Sequence, residues 1–327
     1  MDQQGKALRL GAWAILFAVM VKLSALGVFQ PLADIVRNPN IQSFLIYIET
    51  GRKVRFSPSL DAFSGESPAP QQEMIALPHF SAADTEISLY DAGNLNPDVE
   101  ALLEKPLSWN LRGPEPTVLI LHTHATESYT KKGEAYVETS AFRTLDEDYN
   151  MLSIGAHVAQ LLSREGISVI HDRELHDYPS YDGSYNHARK SMAYYLEKYP
   201  SIQLVMDLHR DASGDIDNQL RTLATVEGQD CAQLMLVMGS NGSGLSHPNW
   251  QENLALGLKL QTVLEQLAPG ITRPLVLRTQ RFNQDLSPGA LLVEVGSAGN
   301  SHDEALRAAE VLAQAVAALS RGTAEST

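Results

Sequence analysis

Cysteine is almost missing from this 327-residue chain. Cys231 stands alone, so no intramolecular disulfide can form, and a CxxC redox site or a Cys-rich zinc finger is excluded. The lone thiol opens the apolar run 231–238, where a small buried hydrophobe is the expected reading. Basic residues are also short: Lys and Arg total 25 against 39 Asp and Glu, a formal charge of −14. A nucleic-acid binder needs a cationic footprint that displaces counterions from phosphates, and none is visible, so no nucleic-acid partner is expected. No internal repeat is evident. Apolar residues are plentiful at 44%, with 20% charged, which is enough for a real core, and the length allows one or two domains.

Residues 10–29 read LGAWAILFAVMVKLSALGVF, with Lys22 as the only charge. Twenty residues at helical rise span about 30 Å, the hydrocarbon thickness of a bilayer. Lys6 and Arg9 precede the run and place that side in the cytoplasm, while Lys22 can extend its stem toward the far interface. A cleaved signal peptide would carry a shorter apolar stretch, about 7–15 residues. Residues 1–30 are therefore expected to be a cytoplasmic tip and an uncleaved transmembrane anchor, with the remainder outside the cytoplasmic membrane. Residues 31–111 read as a membrane-proximal segment, FLIYIETGRKVRF, followed by a tether. Between positions 57 and 107 there are nine acidic residues against one basic, with six prolines interspersed, a composition that favours an extended chain.

The pattern changes after Gly113-Pro114-Glu115-Pro116. Apolar runs of strand length occur at 117–121, 167–170, 204–208, 234–238, 275–277 and 290–295. Between them, helical spacing appears over 150–162, 184–199, 251–267 and 303–320, with Gly166 and Pro200 at natural stops. Strands alternating with helices predict an α/β domain over residues 112–322, a mostly parallel sheet flanked by helices on both faces.

Open parallel sheets bind ligands at the carboxyl ends of their strands. Here TVLIL is followed by His122-Thr123-His124-Ala125-Thr126-Glu127, LVMDL is followed by His209-Arg210-Asp211, and Glu294 interrupts the last strand. With cysteine unavailable, metal donors must be nitrogen and oxygen. Zn²⁺ accepts two imidazoles and one carboxylate and leaves a fourth position open in catalytic sites; His124, Glu127 and His209 supply that set. Glu294 is the candidate proton carrier, since a carboxylate in an apolar strand is costly without a task or a partner. The plainer alternatives are a structural His-x-His and an ion pair of Glu294 with Arg210 or Arg281. Asp207 and Asp211 could orient imidazoles or simply be polar residues at a strand end. His171, His176 and His187 surround the loop HDYPSYDGSYNH, where solvated histidines are the ordinary reading and a substrate groove the alternative. His247 in HPNW most simply opens the following helix. Arg210 and Asn283 are candidates, by placement, for steadying an oxyanion or binding a peptide carboxylate.

In this order, the motifs LHTHATESY (121–129), VIHDRELHDYPSYDGSY (169–185), MDLHRDA (206–212), HPNWQENL (247–254), RFNQDLSPGALLVEVGSAGN (281–300) and EALRAAEVLA (304–313) resemble the stage II sporulation protein P family of spore-forming bacteria. The resemblance implies a zinc-dependent cell-wall hydrolase, amidase-like in fold. Its substrate is peptidoglycan, cut at the amide between N-acetylmuramic acid and the stem-peptide L-alanine, with an endopeptidase activity on cross-links also attributed to the family. It further implies a single-pass membrane protein acting in forespore engulfment, between the mother-cell and forespore membranes, with stage II sporulation proteins D and M as partners. His124, His209 and Glu294 match the family's motif residues, and Glu127 matches its HxxE. In the related amidases the carboxylate ligand sits just before the first helix, which corresponds here to Asp146 or Glu147. A purely peptide-cutting zinc endopeptidase and a non-catalytic wall-binding scaffold are the rival classes.

Overall fold

In a computed structural model, residues 75–76, 87–107, 109–131, 142–215 and 218–324 are described. The expected anchor of residues 1–30 and the segment that follows it to residue 74 lie outside the described residues. Among the described residues, no helix is long and apolar enough to cross a membrane.

In chain order the strands are β1 (Ile75–Ala76), β2 (Ser88–Asp91), β3 (Val118–Leu121), β4 (Val169–His171), β5 (Leu204–Asp211), β6 (Gly214–Asp215), β7 (Asn218–Gln219), β8 (Leu223–Val226), β9 (Gln229–Ala232), β10 (Leu234–Met238), β11 (Leu275–Leu277) and β12 (Ala290–Ser297). The helices are α1 (Val99–Glu104), α2 (Met151–Arg164), α3 (Ser184–Lys198), α4 (Trp250–Leu267) and α5 (His302–Ala324). Eight strands form one sheet in the order β1-β2-β11-β10-β12-β5-β3-β4. Its pairings are parallel except β1 with β2 and β10 with β12, so two parallel blocks run in opposite directions and meet at β10–β12.

Side chains alternate across the strands, and the two faces are covered differently. Val118, Ile120, Leu204, Met206, Leu208, Leu291, Val293 and Val295 share one core with α1, α2, α4 and α5. On the other face, Leu119, Leu121, Val205 and Ala290 pack on Ala188 and Met192 of α3. Helices thus lie on both faces, unequally.

Local chemistry sets the ends of α2. Asn150 caps it by accepting the Leu152 amide at 2.9 Å, and Met151, Ile154, Val158 and Leu162 form its buried stripe. Gly166, at φ 77°, supplies the left-handed residue that ends it. The alanines of α5 (Ala305, Ala308, Ala309 and Ala315 among them) are buried, which lets that helix sit close over the sheet.

Two features depart from expectation. Part of the segment read as tether is folded: Leu275–Leu277 of β11 pairs in parallel with Leu89–Asp91 of β2, and α1 joins the core through Val99 and Leu102. The acidic, proline-rich average of residues 57–107 hid the apolar alternation Ile87-x-Leu89 and the spacing of Val99, Leu102 and Leu103. Between β5 and β10 the chain also forms two small hairpins, β6–β7 and β8–β9.

Candidate metal centre and active site

The carboxyl edge of β3, β5 and β12 brings the predicted residues to one place. Leu204, Met206 and Leu208 point into the large core, so Asp207 and His209 point to the opposite face. Register then places Glu294 of β12 directly beside His209, and Leu121 of β3 beside Asp207. His124 and Glu127 follow on the turn that leaves β3, where Glu127 N donates to His124 O at 3.1 Å.

Each side chain is held by named partners. His209 Nδ1 lies 3.5 Å from Glu127 Oε2, and its Nε2 lies 3.0 Å from Asp207 Oδ1. Asp207 accepts from Thr123 N at 2.8 Å and Thr123 Oγ1 at 2.6 Å. Burial pushes the Asp207 carboxyl up, but His209 and the Thr123 bonds outweigh it and hold it below its ordinary value. Burial likewise opposes a charged His209, yet Asp207 and Glu127 keep that ring well above the usual histidine range. Glu127 Oε2 accepts from Arg210 N at 3.2 Å, and its Oε1 lies 3.5 Å from Arg143 Nη2. Burial works to raise the Glu127 carboxyl, while Arg210 and the two imidazoles draw it well below its ordinary value. His124 lies 5.3 Å from His209 between ring centroids, at 86°. Burial lowers His124 to about 3, which leaves the neutral ring a metal requires. Glu294 is 5% exposed.

Two imidazoles and a carboxylate are the donor types zinc takes, and His209 with Glu127 is spaced as a ligand pair would be, although the donor atoms of His124, Glu127 and His209 do not all lie within 4.8 Å of one another. Two ligands each about 2.0–2.1 Å from a tetrahedral centre lie roughly 3.3 Å apart, and the Nδ1–Oε2 separation is 3.5 Å. His124 Nδ1 is buried without a hydrogen-bond partner, as are nitrogens of His176, His209 and His247. Of the alternative carboxylates, Asp146 sits 4.0 Å from Lys131 with its side chain 46% exposed, and Glu147 pairs with Arg173 at the surface. Neither is buried with the histidines.

Arg210 and Asn283 are placed differently from the expectation. Alternation turns the Arg210 side chain away from His209; it is 2% exposed and donates to Ser128 O at 3.0 Å and Phe142 O at 2.6 Å. It buttresses the turn carrying Glu127. Asn283, at φ 60°, donates to Tyr185 O at 2.8 Å and accepts from Arg189 Nη1 at 3.4 Å, tying its loop to α3. Tyr185 in turn packs edge-on against His124 with centroids 5.6 Å apart.

Among the described residues, the other histidines have structural partners or lie apart. His122 Nε2 meets His171 Nε2 at 2.9 Å, His176 pairs with Asp172 at 3.1 Å, and His187 Nδ1 lies 3.0 Å from His176 O. His247 is buried in the loop before α4. Asp172, Glu174 and His176 are, among the described residues, the three whose donor atoms all lie within 4.8 Å of one another. Asp172 already accepts from His176, Ser191 Oγ and the Glu174 amide, and Glu174 is exposed, so that group is an internal ion pair and not an open donor set.

Sequence reasoning missed Tyr181, Arg143 and Asp177. Tyr181 stacks on His124 at 4.6 Å and 13°, with Arg143 Cζ 4.7 Å from its ring centre. Asp177 accepts from Arg143 Nη1 at 2.5 Å and from Thr126 Oγ1 at 2.6 Å. The signal available was a polar loop unusually rich in tyrosine next to three histidines.

The sequence model of the stage II sporulation protein P family matches residues 64–317, and the chain belongs to that family. It is 28% identical over 214 residues to stage II sporulation protein P of Bacillus subtilis (strain 168), covering 62% of this chain and 50% of that protein. The chain thus spans about half the length of the curated relative it matches. Among solved structures, the CwlD amidase of Clostridioides difficile in complex with the GerS lipoprotein is 12% identical with a TM-score of 0.41, covering 64% of this chain and 100% of that chain. The N-acetylmuramoyl-L-alanine amidase AmiC2 of Nostoc punctiforme is 15% identical with a TM-score of 0.36, covering 65% and 99%.

Proposed function

We propose that this sporulation-family protein is a peptidoglycan hydrolase that cuts the amide between N-acetylmuramic acid and the stem-peptide L-alanine. His124, Glu127 and His209 would hold zinc, and Glu294 would carry the proton. The observation behind the reading is the convergence, at one sheet edge, of two buried imidazoles and a buried carboxylate with a second buried carboxylate in register. A zinc ion held by this set supplies Lewis acidity toward a carbonyl oxygen and lowers the pKa of water.

The chain's own residues supply the rest. Asp207, locked by Thr123, keeps the His209 ring in one orientation, as supporting carboxylates do for metal-bound histidines. Arg210 and Arg143 fix Glu127 from two sides. Glu294 accepts the proton of the attacking water and returns it to the leaving nitrogen, so that the amine departs neutral. The sporulation setting, a membrane anchor and an assembly with stage II sporulation proteins D and M belong to the same proposal.

The test uses the full chain, purified peptidoglycan and stoichiometric zinc, with the fragments identified by mass spectrometry. Stem peptides beginning with L-alanine and glycan bearing free lactyl carboxylates are expected. Glu294→Gln should keep metal and lose turnover by about 100-fold or more; His124→Ala should lose both. Cleavage confined to cross-links would make the protein an endopeptidase. Normal hydrolysis by Glu294→Gln would remove the proposed base, and no hydrolysis under any condition would favour a scaffold.

A further inference from the structure

We infer that Tyr181 is a positioning residue for His124, accepting the Nε2 proton so that Nδ1 is the nitrogen presented to the metal. The inference rests on the zinc-site reading above and adds to it a residue outside the donor set. The two ring nitrogens of His124 have different surroundings. Nε2 lies 3.2 Å from the Tyr181 hydroxyl, whereas Nδ1 is buried and meets no hydrogen-bond partner. A neutral imidazole has one N–H and one lone pair. With the proton on Nε2 and donated to Tyr181 Oη, the lone pair falls on Nδ1. The other tautomer would bury an N–H at Nδ1 with nothing to accept it.

Tyr181 is itself held in place. Its ring stacks on His124, and Arg143 lies over the same ring. Asp177 anchors Arg143 and simultaneously holds Thr126 through both its amide and its hydroxyl. The contacts therefore close a loop, Thr126–Asp177–Arg143–Tyr181–His124, around the turn that also carries Glu127. His209 has carboxylates on both sides instead: Asp207 Oδ1 lies 3.0 Å from Nε2 and Glu127 Oε2 lies 3.5 Å from Nδ1. The phenol lies on the exposed side, since Tyr181 is 41% exposed and Asp207 is 6%.

The experiment measures zinc affinity of the full chain by competition with a chromophoric chelator, comparing wild type, Tyr181→Phe and His124→Ala. Tyr181→Phe keeps the ring stack and removes only the oxygen. Loss of such a supporting partner typically weakens metal binding about 10–100-fold, and that loss is expected here. The unfolding midpoint of the metal-free form should be unchanged, and the visible bands of the cobalt(II)-loaded form should shift. A Tyr181→Phe affinity equal to wild type would overturn the inference, because packing alone would then explain the residue. A second measurement needs no variant at Tyr181. In zinc-loaded wild type labelled with ¹⁵N-histidine, long-range ¹H–¹⁵N spectra should show His124 protonated at Nε2 and metallated at Nδ1; the reverse assignment overturns the inference. If wild type binds no more zinc than His124→Ala, the zinc-site reading itself fails and this inference falls with it.

Discussion

Gly155 shows how closely α2 packs on the paired rings of His122 and His171. A Cβ there would fall on His122 Nε2 and His171 Nε2, the atoms through which those two rings bond. Gly155→Ala should cost about 1–3 kcal/mol by overpacking, read as a lower denaturant midpoint at unchanged slope. The pair below it has a defined protonation. His122 Nδ1 bonds to Leu208 O at 3.0 Å and must donate, so its Nε2 accepts from His171. Burial holds His122 at about 4 and His171 at about 3, below the unfolded value of 6.5. The unfolded chain therefore binds these protons first, and stability falls as pH drops from about 6.5 toward 4. The shift of His122 alone amounts to roughly 3 kcal/mol, a large share of a typical 5–15 kcal/mol. His176 opposes this trend: burial lowers it, but Asp172 raises it further, so its contribution is lost as pH rises. Burial also lowers His124, His247 and His302, while His209 is raised like His176, so five depressed rings against two raised ones leave acid as the destabilising direction. Urea titrations of the metal-free protein at pH 7 and pH 5 should show that drop, and equal midpoints would contradict a neutral buried pair.

At the scale of elements, the site depends on β5 and β12 running in register, because that pairing sets Glu294 beside His209. Gly289 stands at the entrance to β12, where a Cβ would collide with the Gln203 carbonyl, a backbone atom that cannot rotate away. Gly289→Ala should therefore displace the start of β12 from β5. The expected result is reduced stability together with weakened hydrolysis, measured by thermal unfolding and muropeptide release on the same preparation. Unchanged unfolding would mean that the strand entrance absorbs a methyl group. These elements were legible in the sequence because both strands are unbroken apolar runs whose polar exceptions, Asp207, His209 and Glu294, all point to one face. The same alternation also places Arg210 on the opposite face, although its position next to His209 suggested substrate contact. Strand direction was not legible: nothing in the side chains of β10 announces that it pairs antiparallel with β12. In the hairpin β8–β9, β8 alternates exposed and half-buried residues and β9 buries only Cys231 and Ala232, too short a pattern to read as a period. Tyr181 and Asp177 sit in a loop without periodicity, where only three-dimensional closure reveals their task.

For the whole molecule, the question is where the folded unit begins. A boundary at residue 112 follows from composition, since the prolines and acidic residues before it look like tether. The packing moves that boundary upstream. Ile87, Leu89, Val99 and Leu102 are all at most 5% exposed, and β2 covers the edge of β11. Burying four such side chains stabilises by about 1.5–3 kcal/mol each, which together rivals the entire net stability of an ordinary domain. Removing them would also bare the backbone of Leu275–Leu277, an apolar edge of the kind that pairs with other chains. A fragment of residues 112–327 should therefore be poorly soluble or unfold at a markedly lower temperature than one of residues 72–327. Expression of both, with circular dichroism melts and sedimentation, decides the matter. Equal melting and equal solubility would show that β2 and α1 rest on the domain without supporting it. A large difference would make the stretch after residue 86 part of the catalytic unit, so that the reach of any tether ends before Ile87.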